Sequence, residues 1–565
     1  MHAALLLFLL AAVPAAAELT ADQRQADFRS LADSVARRYA HVDWKREGIK
    51  LDPLDTRPWQ ARLAQARNDI DFYEVMCEYV ASFKDSHSAY LVPSTYLATL
   101  GFSLDLVDDK VTIDAINRNL QPAAAFAAEV GDELVSVDGR SAAEWMTLFQ
   151  RFIGGGNPRT ARREAAAWIA TRQQVVFPRA HEVPAQGIVV VRKPDNSTST
   201  YVIPWYRRGT PVTSVPGSPA IRTAAVSEPE VELPRSAHLD LMDTLRRLGP
   251  ENWFGFGKAP LEALGIGSRI PVFDLPTDGY TARLGAGRID LVTSGIFESG
   301  GLKIGYLRVG GFDSARITDQ AIAEVRDLRD KTDGLIVDVM RNPGGLACAG
   351  EELASNLQTD VFNVHTVELR VGWIDYLLYR DRVDALREAG APEPQIASFE
   401  FQLQAVEEAI RAGRTRTAPV PICGTTTTRP PATDRLTGLP LSYGKPLILL
   451  MDGYSGSAAE TFASVLQDSG RALVVGEQSA GAGGTVASGE TGSYADGALS
   501  LARGLVNRSK PANAPDLPSS PYVENVGIRP DVELGYMTRA NLIGRGKPFL
   551  DRLLQIAADH IKSRQ

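Results

Sequence analysis

Three cysteines, Cys77, Cys348 and Cys423, are all that the 565 residues contain. So odd and sparse a count excludes a disulfide framework as the basis of the fold. Neither a Cys-x-x-Cys pair nor a His-Glu-x-x-His stretch occurs, so the spacings of common zinc sites are missing. No metal and no organic cofactor is implied. Surplus positive charge is missing too: 60 Lys and Arg face 68 Asp and Glu, a net charge of −8. Phosphate binding needs a concentrated basic surface, so nucleic acid is not an expected partner. Beyond the first residues no apolar run is long enough to span a bilayer, and no internal repeat is visible. What remains is an ordinary globular composition, 44% hydrophobic and 23% charged. Its length suggests about three or four domains at ~150 residues each.

The short apolar run at the N-terminus has the shape of a targeting segment. Residues 5–13 are apolar, and Pro14, Ala15, Ala16 and Ala17 follow. Small residues at 15 and 17 suit a signal peptidase. Residues 1–17 are therefore expected to be a signal peptide, and the protein to be periplasmic or extracellular.

Periodicity divides the rest. Residues 27–39 place Phe28, Leu31, Val35 and Tyr39 on one helical face. Residues 59–66 and 71–83 continue in that style, so 18–95 reads as a helical N-terminal domain. A polar break, Lys84 to Ser88, ends it. From about residue 100 the period becomes two. Alternation at 102–107, a charged turn at 108–110 and a strand pair at 187–192 and 200–205 suggest a β-rich domain over 96–206. Residues 207–286 begin with a Pro/Ser/Thr-rich linker and stay unplaced. From 287 to 545 strands and helices alternate. Strands are expected at 289–293, 303–309, 335–340, 447–451 and 472–476, and helices at 317–330, 348–357 and 457–468. That order means an α/β core with a partly parallel sheet. Residues 361–441 interrupt it as an insertion, and 546–565 form a closing helix.

Two strand-to-turn junctions carry chemistry. In the first, an apolar strand runs into Asp452-Gly453-Tyr454-Ser455-Gly456-Ser457, and a helix follows. Such a turn holds the Ser457 hydroxyl at the sheet's carboxyl edge, where the helix start aims unpaired amides and its positive dipole end. The Ala458 amide could donate to an oxyanion. As plain structure, Ser457 would be a helix cap. In the second, the strand ending at Met340 meets Arg341-Asn342-Pro343-Gly344-Gly345. Paired glycines let backbone approach a ligand closely, so a second oxyanion donor belongs at Gly344 or Gly345. Cys348 follows that turn. It could be a nucleophile, but with no histidine near it in sequence it reads as a buried helix residue.

These segments resemble the C-terminal-processing (tail-specific) peptidases. Ser455-Gly456-Ser457-Ala458-Ala459-Glu460 is similar to that family's Ser-Ala-Ser-Ala-Ser-Glu signature, with Ser457 at the nucleophile. Asp338 to Gly345 is similar to its Asp-x-Arg-x-Asn-x-Gly-Gly stretch with one spacing shift. The resemblance implies a ClpP/crotonase-like α/β catalytic core, a PDZ-like β-rich domain and a polypeptide substrate. It makes Leu100, Gly101, Phe102 and Ser103 a carboxylate-binding loop that could take a free C-terminus. One departure stands out. Where tail-specific members carry a lysine base this chain has Ala482, and no lysine lies between Lys445 and Lys510. A histidine is the natural substitute, because it titrates near working pH. Among His41, His87, His181, His238, His365 and His560, only His87 sits in a polar break, next to Ser86. The family's tricorn-type branch, with a Ser-His pair and a distant glutamate, resembles this arrangement. Ser86 and His87 match the pair, and Glu524 the glutamate, with Asp531 and Glu460 as competitors.

The expectation is therefore a serine endopeptidase. Ser457 attacks, His87 takes the proton, and Glu524 orients His87, through Ser86 or directly. The rival is a peptide-binding protein that has lost catalysis and keeps the PDZ-like groove.

Overall fold

The computed structural model describes residues 18–213, 265–490, 492–514 and 517–564. The expected signal segment and most of the linker lie outside them.

The N-terminal helices follow from their caps and faces. Thr20 opens the helix Ala21–Arg38 with a capping box to Gln23, and Phe28, Leu31 and Val35 point inward. Asn68 caps Asp69–Ala81, which buries Phe72, Tyr73, Met76 and Val80.

A twisted sheet follows. Phe102–Val107, Lys110–Ile116, Glu133–Val137, Gln186–Arg192 and Thr198–Pro204 lie in that spatial order. The helices Ala142–Phe149 and Pro158–Ala170 accompany it. Residues 123–125 form a turn, and 126–128 run on without regular structure between its strands.

The core is a seven-stranded sheet in the order Tyr280–Leu284, Thr293–Ser299, Leu302–Arg308, Gly334–Asp338, Leu447–Met451, Ala472–Gly476 and Val532–Glu533. From Leu302–Arg308 onward its neighbours run parallel. Alternation explains its two faces. Leu335, Val337, Leu447 and Leu449 pack with Val325, Leu353 and Phe462 on one side. Ile336, Ile448 and Leu450 pack with Phe549, Leu553 and Ile561 of the helix Lys547–Arg564 on the other. Parallel strands covered on both faces read as continuous apolar runs, which is why these segments stood out. The strand expected at 289–293 is displaced: Ile289 is 81% exposed and pairing begins at Thr293. Asp290 accepts from the Gly285 and Gly287 amides and makes that stretch a turn.

A further sheet joins segments far apart in sequence. The long strand Ala498–Ala514 pairs with Ala89–Leu91 from the N-terminal region, with Gly484–Glu490 from the core, and with Thr366–Leu369 from the insertion. The insertion is thus built into the molecule. It also carries a helical hairpin, Trp373–Glu388 and Glu393–Arg411. Cys348 is not buried; it is exposed and bonded to Cys423, closing a separation of 75 residues. Cys77 is the free, buried thiol.

Candidate active site

Ser457 ends the turn between the strand Leu447–Met451 and the helix Ala458–Asp468. Its backbone has φ 53° and ψ −118°. A non-glycine residue rarely adopts a positive φ, and it persists only where surroundings over-determine it. Here they do. Ser455 Oγ donates to Val339 O at 2.7 Å, and Gly456 N donates to Asn342 O at 3.0 Å. Ser457 N donates to the Glu460 carboxylate at 2.9 Å. Glu460 also accepts from Ser479 Oγ, Gly481 N and Ala482 N. Burial pushes its carboxyl up to about 7 against the pull of these donors. Glu460 therefore holds the turn and does not compete with Glu524.

The Gly-Gly turn lies directly against Ser457. A Cβ on Gly344, at φ 104°, would come within 2.6 Å of the Ser457 Cβ, and one on Gly345 within 2.3 Å of the Phe312 backbone. Only glycine permits both approaches. The two amides differ in one respect the sequence did not reveal. Gly344 N donates to Asn342 Oδ1 at 2.8 Å, so it is already engaged. The Gly345 and Ala458 amides have no acceptor among the described residues. Both line, with Ser457, a cleft of about 740 Å³. Two unengaged amides beside a hydroxyl can hold an oxyanion.

His87 is buried beside the strand Ala89–Leu91. Its backbone N donates to Asp85 Oδ1 at 2.8 Å, and its carbonyl accepts from Ser500 Oγ at 3.0 Å. Burial lowers its pKa to about 4, against the pull of Asp85 and helped by the nearby His41 and Lys45. The ring is thus neutral at ordinary pH. Ser86 Oγ accepts from Gly156 N at 2.9 Å. A Cβ on Gly156 would meet Gly481 O, so the Ser86 loop abuts the segment that Glu460 holds.

Glu524 belongs to a buried charge network. Lys45 Nζ lies 2.5 Å from its Oε1, Gly483 N donates to its Oε2 at 3.0 Å, and His41 Nδ1 is 3.8 Å away. Asp85 accepts from Tyr39 at 2.8 Å and sits 3.0 Å from His41 Nδ1. Burial and the neighbouring Asp85 raise the Glu524 pKa, opposed by Lys45 and His41. For Asp85, burial pushes up but His41, Lys45 and His87 pull it well below the usual carboxylate range. The route expected from Glu524 through Ser86 is not drawn: Ser86 bonds Gly156, and Asp85 exerts the strongest carboxylate pull on His87. His41, Asp85 and Glu524 offer ligand atoms within 4.8 Å of one another. However, Lys45 already occupies Glu524, and Gly504 O faces His41 Nε2 at 3.1 Å. A cation there would compete with an ammonium.

The expected carboxylate loop is closed. Leu100 and Phe102 are buried, Gly101 N donates to Thr99 Oγ1, Gln121 donates to Leu100 O, and Ser103 Oγ donates to Asp114. Helix Pro158–Ala170 packs along the strand, with Arg163 gripping Asp105 in a bidentate pair.

Sequence reasoning missed Asp85, Lys45, His41 and Asn342. Asp85 and Asn342 adjoin residues it selected. Lys45 lies on the helix Val42–Gly48 and His41 at its N-cap, with no local signal of their role.

Comparison with known proteins places these features. Residues 303–534 match the pattern of peptidase family S41. A protein of Chlamydia trachomatis serovar D is 22% identical over 592 residues, spanning 93% of this chain and 91% of its own. The crystal structure of mature CPAF superposes with a TM-score of 0.72 at 19% identity, covering 96% of this chain and 98% of that one. Mature CPAF complexed with lactacystin superposes at 0.71 and 18% identity, covering 96% and 99%. The α/β multidomain fold and the matched core define a serine peptidase. The segment 303–534, with both strand-to-turn junctions and Ser457 inside it, is similar to peptidase family S41.

Proposed function

We propose that Ser457 is the nucleophile of a serine endopeptidase, with His87 as general base. The observation that carries this is the strained Ser457 beside the unengaged Gly345 and Ala458 amides, facing a single cleft. Ser457 Oγ attacks a peptide carbonyl carbon and its proton passes to His87, whose low pKa keeps it neutral and able to accept. The oxyanion sits on Gly345 and Ala458 N–H. His87 then protonates the leaving amine, and water hydrolyses the acyl-enzyme. Glu524 and Asp85, steadied by Lys45 and His41, position the base and balance its charge. Ala482 lines the cleft beside Ser457 where a lysine would otherwise stand. The tightly packed sheet over 102–204 is PDZ-like, and its peptide groove opens only with displacement of Pro158–Ala170.

The protein is exported. The N-terminal segment and the Cys348–Cys423 disulfide support an oxidising compartment. Among the described residues no helix is long and apolar enough to cross a membrane.

A labelled fluorophosphonate and a quenched polypeptide substrate test the site. Ser457→Ala should abolish both signals. His87→Ala should lower turnover by several orders of magnitude, because members of one catalytic unit lose activity non-additively. Wild-type turnover in either folded variant removes that residue from the mechanism. Tight peptide binding without any cleavage by the wild type would instead favour the non-catalytic rival.

A further inference from the structure

The insertion supplies one whole wall of the cleft at Ser457. Val367 and Leu369 come from its strand, Tyr379 and Phe399 from its two helices, and Ile422 from the segment that returns to the core. Opposite stand Ser457, Ala458, Thr461, Gly484 and Val486. The insertion is held in place at two points. Thr366–Leu369 pairs in register with Gly504–Asn507 of the long strand. Cys423, next to Ile422, is bonded to Cys348 on the helix Ala347–Ser355, which follows the Gly344–Gly345 turn. Wall and oxyanion turn are therefore joined covalently.

The chemistry of the lining is one-sided. Among the described residues no Lys, Arg or His lines the cleft, and its two charged groups are Asp319 and Glu352. Glu352 is paired with Arg429, whereas Asp319 is exposed and has no cation partner among the described residues. A volume of about 740 Å³ lies in the range of sites that enclose several side chains.

We infer that the insertion wall is the specificity determinant of this peptidase: it seats a bulky apolar side chain next to the scissile bond, within an internal stretch of polypeptide. A substrate carboxylate, from an acidic side chain or a chain end, meets no cation there and faces Asp319. Binding an apolar side chain against Tyr379, Phe399 and Ile422 removes apolar surface from water on both partners, while a carboxylate would lose its hydration unpaired. This inference rests on the assignment of Ser457.

The test is a set of quenched peptides of one sequence, varied at each position flanking the cleaved bond to Phe, Leu, Ala or Asp, with free or amidated C-termini. Fluorophosphonate labelling of Ser457 runs in parallel. At one flanking position Phe or Leu should exceed Ala about tenfold or more in kcat/KM, with Asp lowest. Amidation should change kcat/KM less than twofold. Phe399→Ala should shrink the Phe-to-Ala preference at least threefold, and Phe399→Leu should restore most of it. Equal cleavage of the Phe and Asp peptides overturns the inference, as does dependence on a free C-terminus or an unchanged preference in Phe399→Ala. Should that variant not fold, the wild-type profile decides alone. If wild type shows neither labelling nor cleavage, the Ser457 assignment fails, and the inference falls with it.

Discussion

Replacing Glu460 by Gln keeps the shape of the side chain and removes one acceptor atom. The carboxylate accepts four hydrogen bonds, from Ser479 Oγ and Gly481 N on one oxygen and from Ser457 N and Ala482 N on the other. The amide group of Gln must face one of these pairs. Facing Ser457 and Ala482, it orphans two buried backbone donors. Facing the other pair is cheaper. Ser479 can rotate to accept, since a hydroxyl has two lone pairs, and only Gly481 N is orphaned. One unsatisfied buried donor costs roughly 1–3 kcal/mol, and the surviving bonds lose their charge assistance. The variant should therefore lose about 2–4 kcal/mol of local stability. The cost falls on the turn that holds Ser457 at positive φ, so turnover should drop as well. Amide exchange at Gly481 and Ala482, urea unfolding followed by core fluorescence, and fluorophosphonate labelling rate measure the three effects. A variant with protected amides, an unchanged midpoint and labelling within twofold of wild type would refute the claim that Glu460 sets the turn.

Four further outcomes are expected. If His87 is the base, kcat/KM should persist on acidification and fall only near pH 4, because the base must be neutral and burial lowers its pKa to about 4; an acid limb at 6 or above excludes it. Stability has its own sign: His87 and His365 are both held near 4 in the fold, while the unfolded chain binds protons below about 6.5, so stability is complete above 6.5 and erodes as pH falls towards 4. Lys45→Met leaves Glu524 buried without its ammonium, which should cost about 3–5 kcal/mol in unfolding free energy; a neutral effect would show that the pair is not needed. Cys348→Ser with Cys423→Ser opens a loop with a sequence separation of 75, worth up to ~4.5 kcal/mol by chain entropy, and should raise amide exchange across 373–411; unchanged exchange there would mean that strand pairing alone holds the insertion.

The core was legible because its strands are apolar runs bounded by Gly and Asp. Leu447–Met451 and Ala472–Gly476 were read with their observed bounds. Ser457 and the Gly344–Gly345 turn were legible because unusual backbone needs local, recognisable residues. The sheet that gathers Ala89–Leu91, Thr366–Leu369 and Ala498–Ala514 was not, since strand partners are chosen by long-range packing rather than by local pattern. Three cysteines gave no pairing, because a disulfide needs proximity that sequence does not supply. Lys45 escaped for the same reason: its partner Glu524 is 479 residues away. Residues 289–293 were read as strand because Ile289 and Leu291 look apolar, while the Asp290 bonds that bend the chain ahead of Thr293 leave no hydrophobic trace.

The pairing of Ala89 with Ser500 also sets a clock. The two are 411 residues apart (500 − 89), and a ribosome adding about 5–20 residues per second needs roughly 20–80 s to cover that distance. During this interval the segment bearing His87 lacks the strand it docks on, and for most of it Ser457 itself is not yet made. On the proposed roles of Ser457 and His87, a nascent chain is chemically silent until most of it has been synthesised. That delay means that the proposed protein-cutting site comes into being only after the strand Ala498–Ala514 has been made.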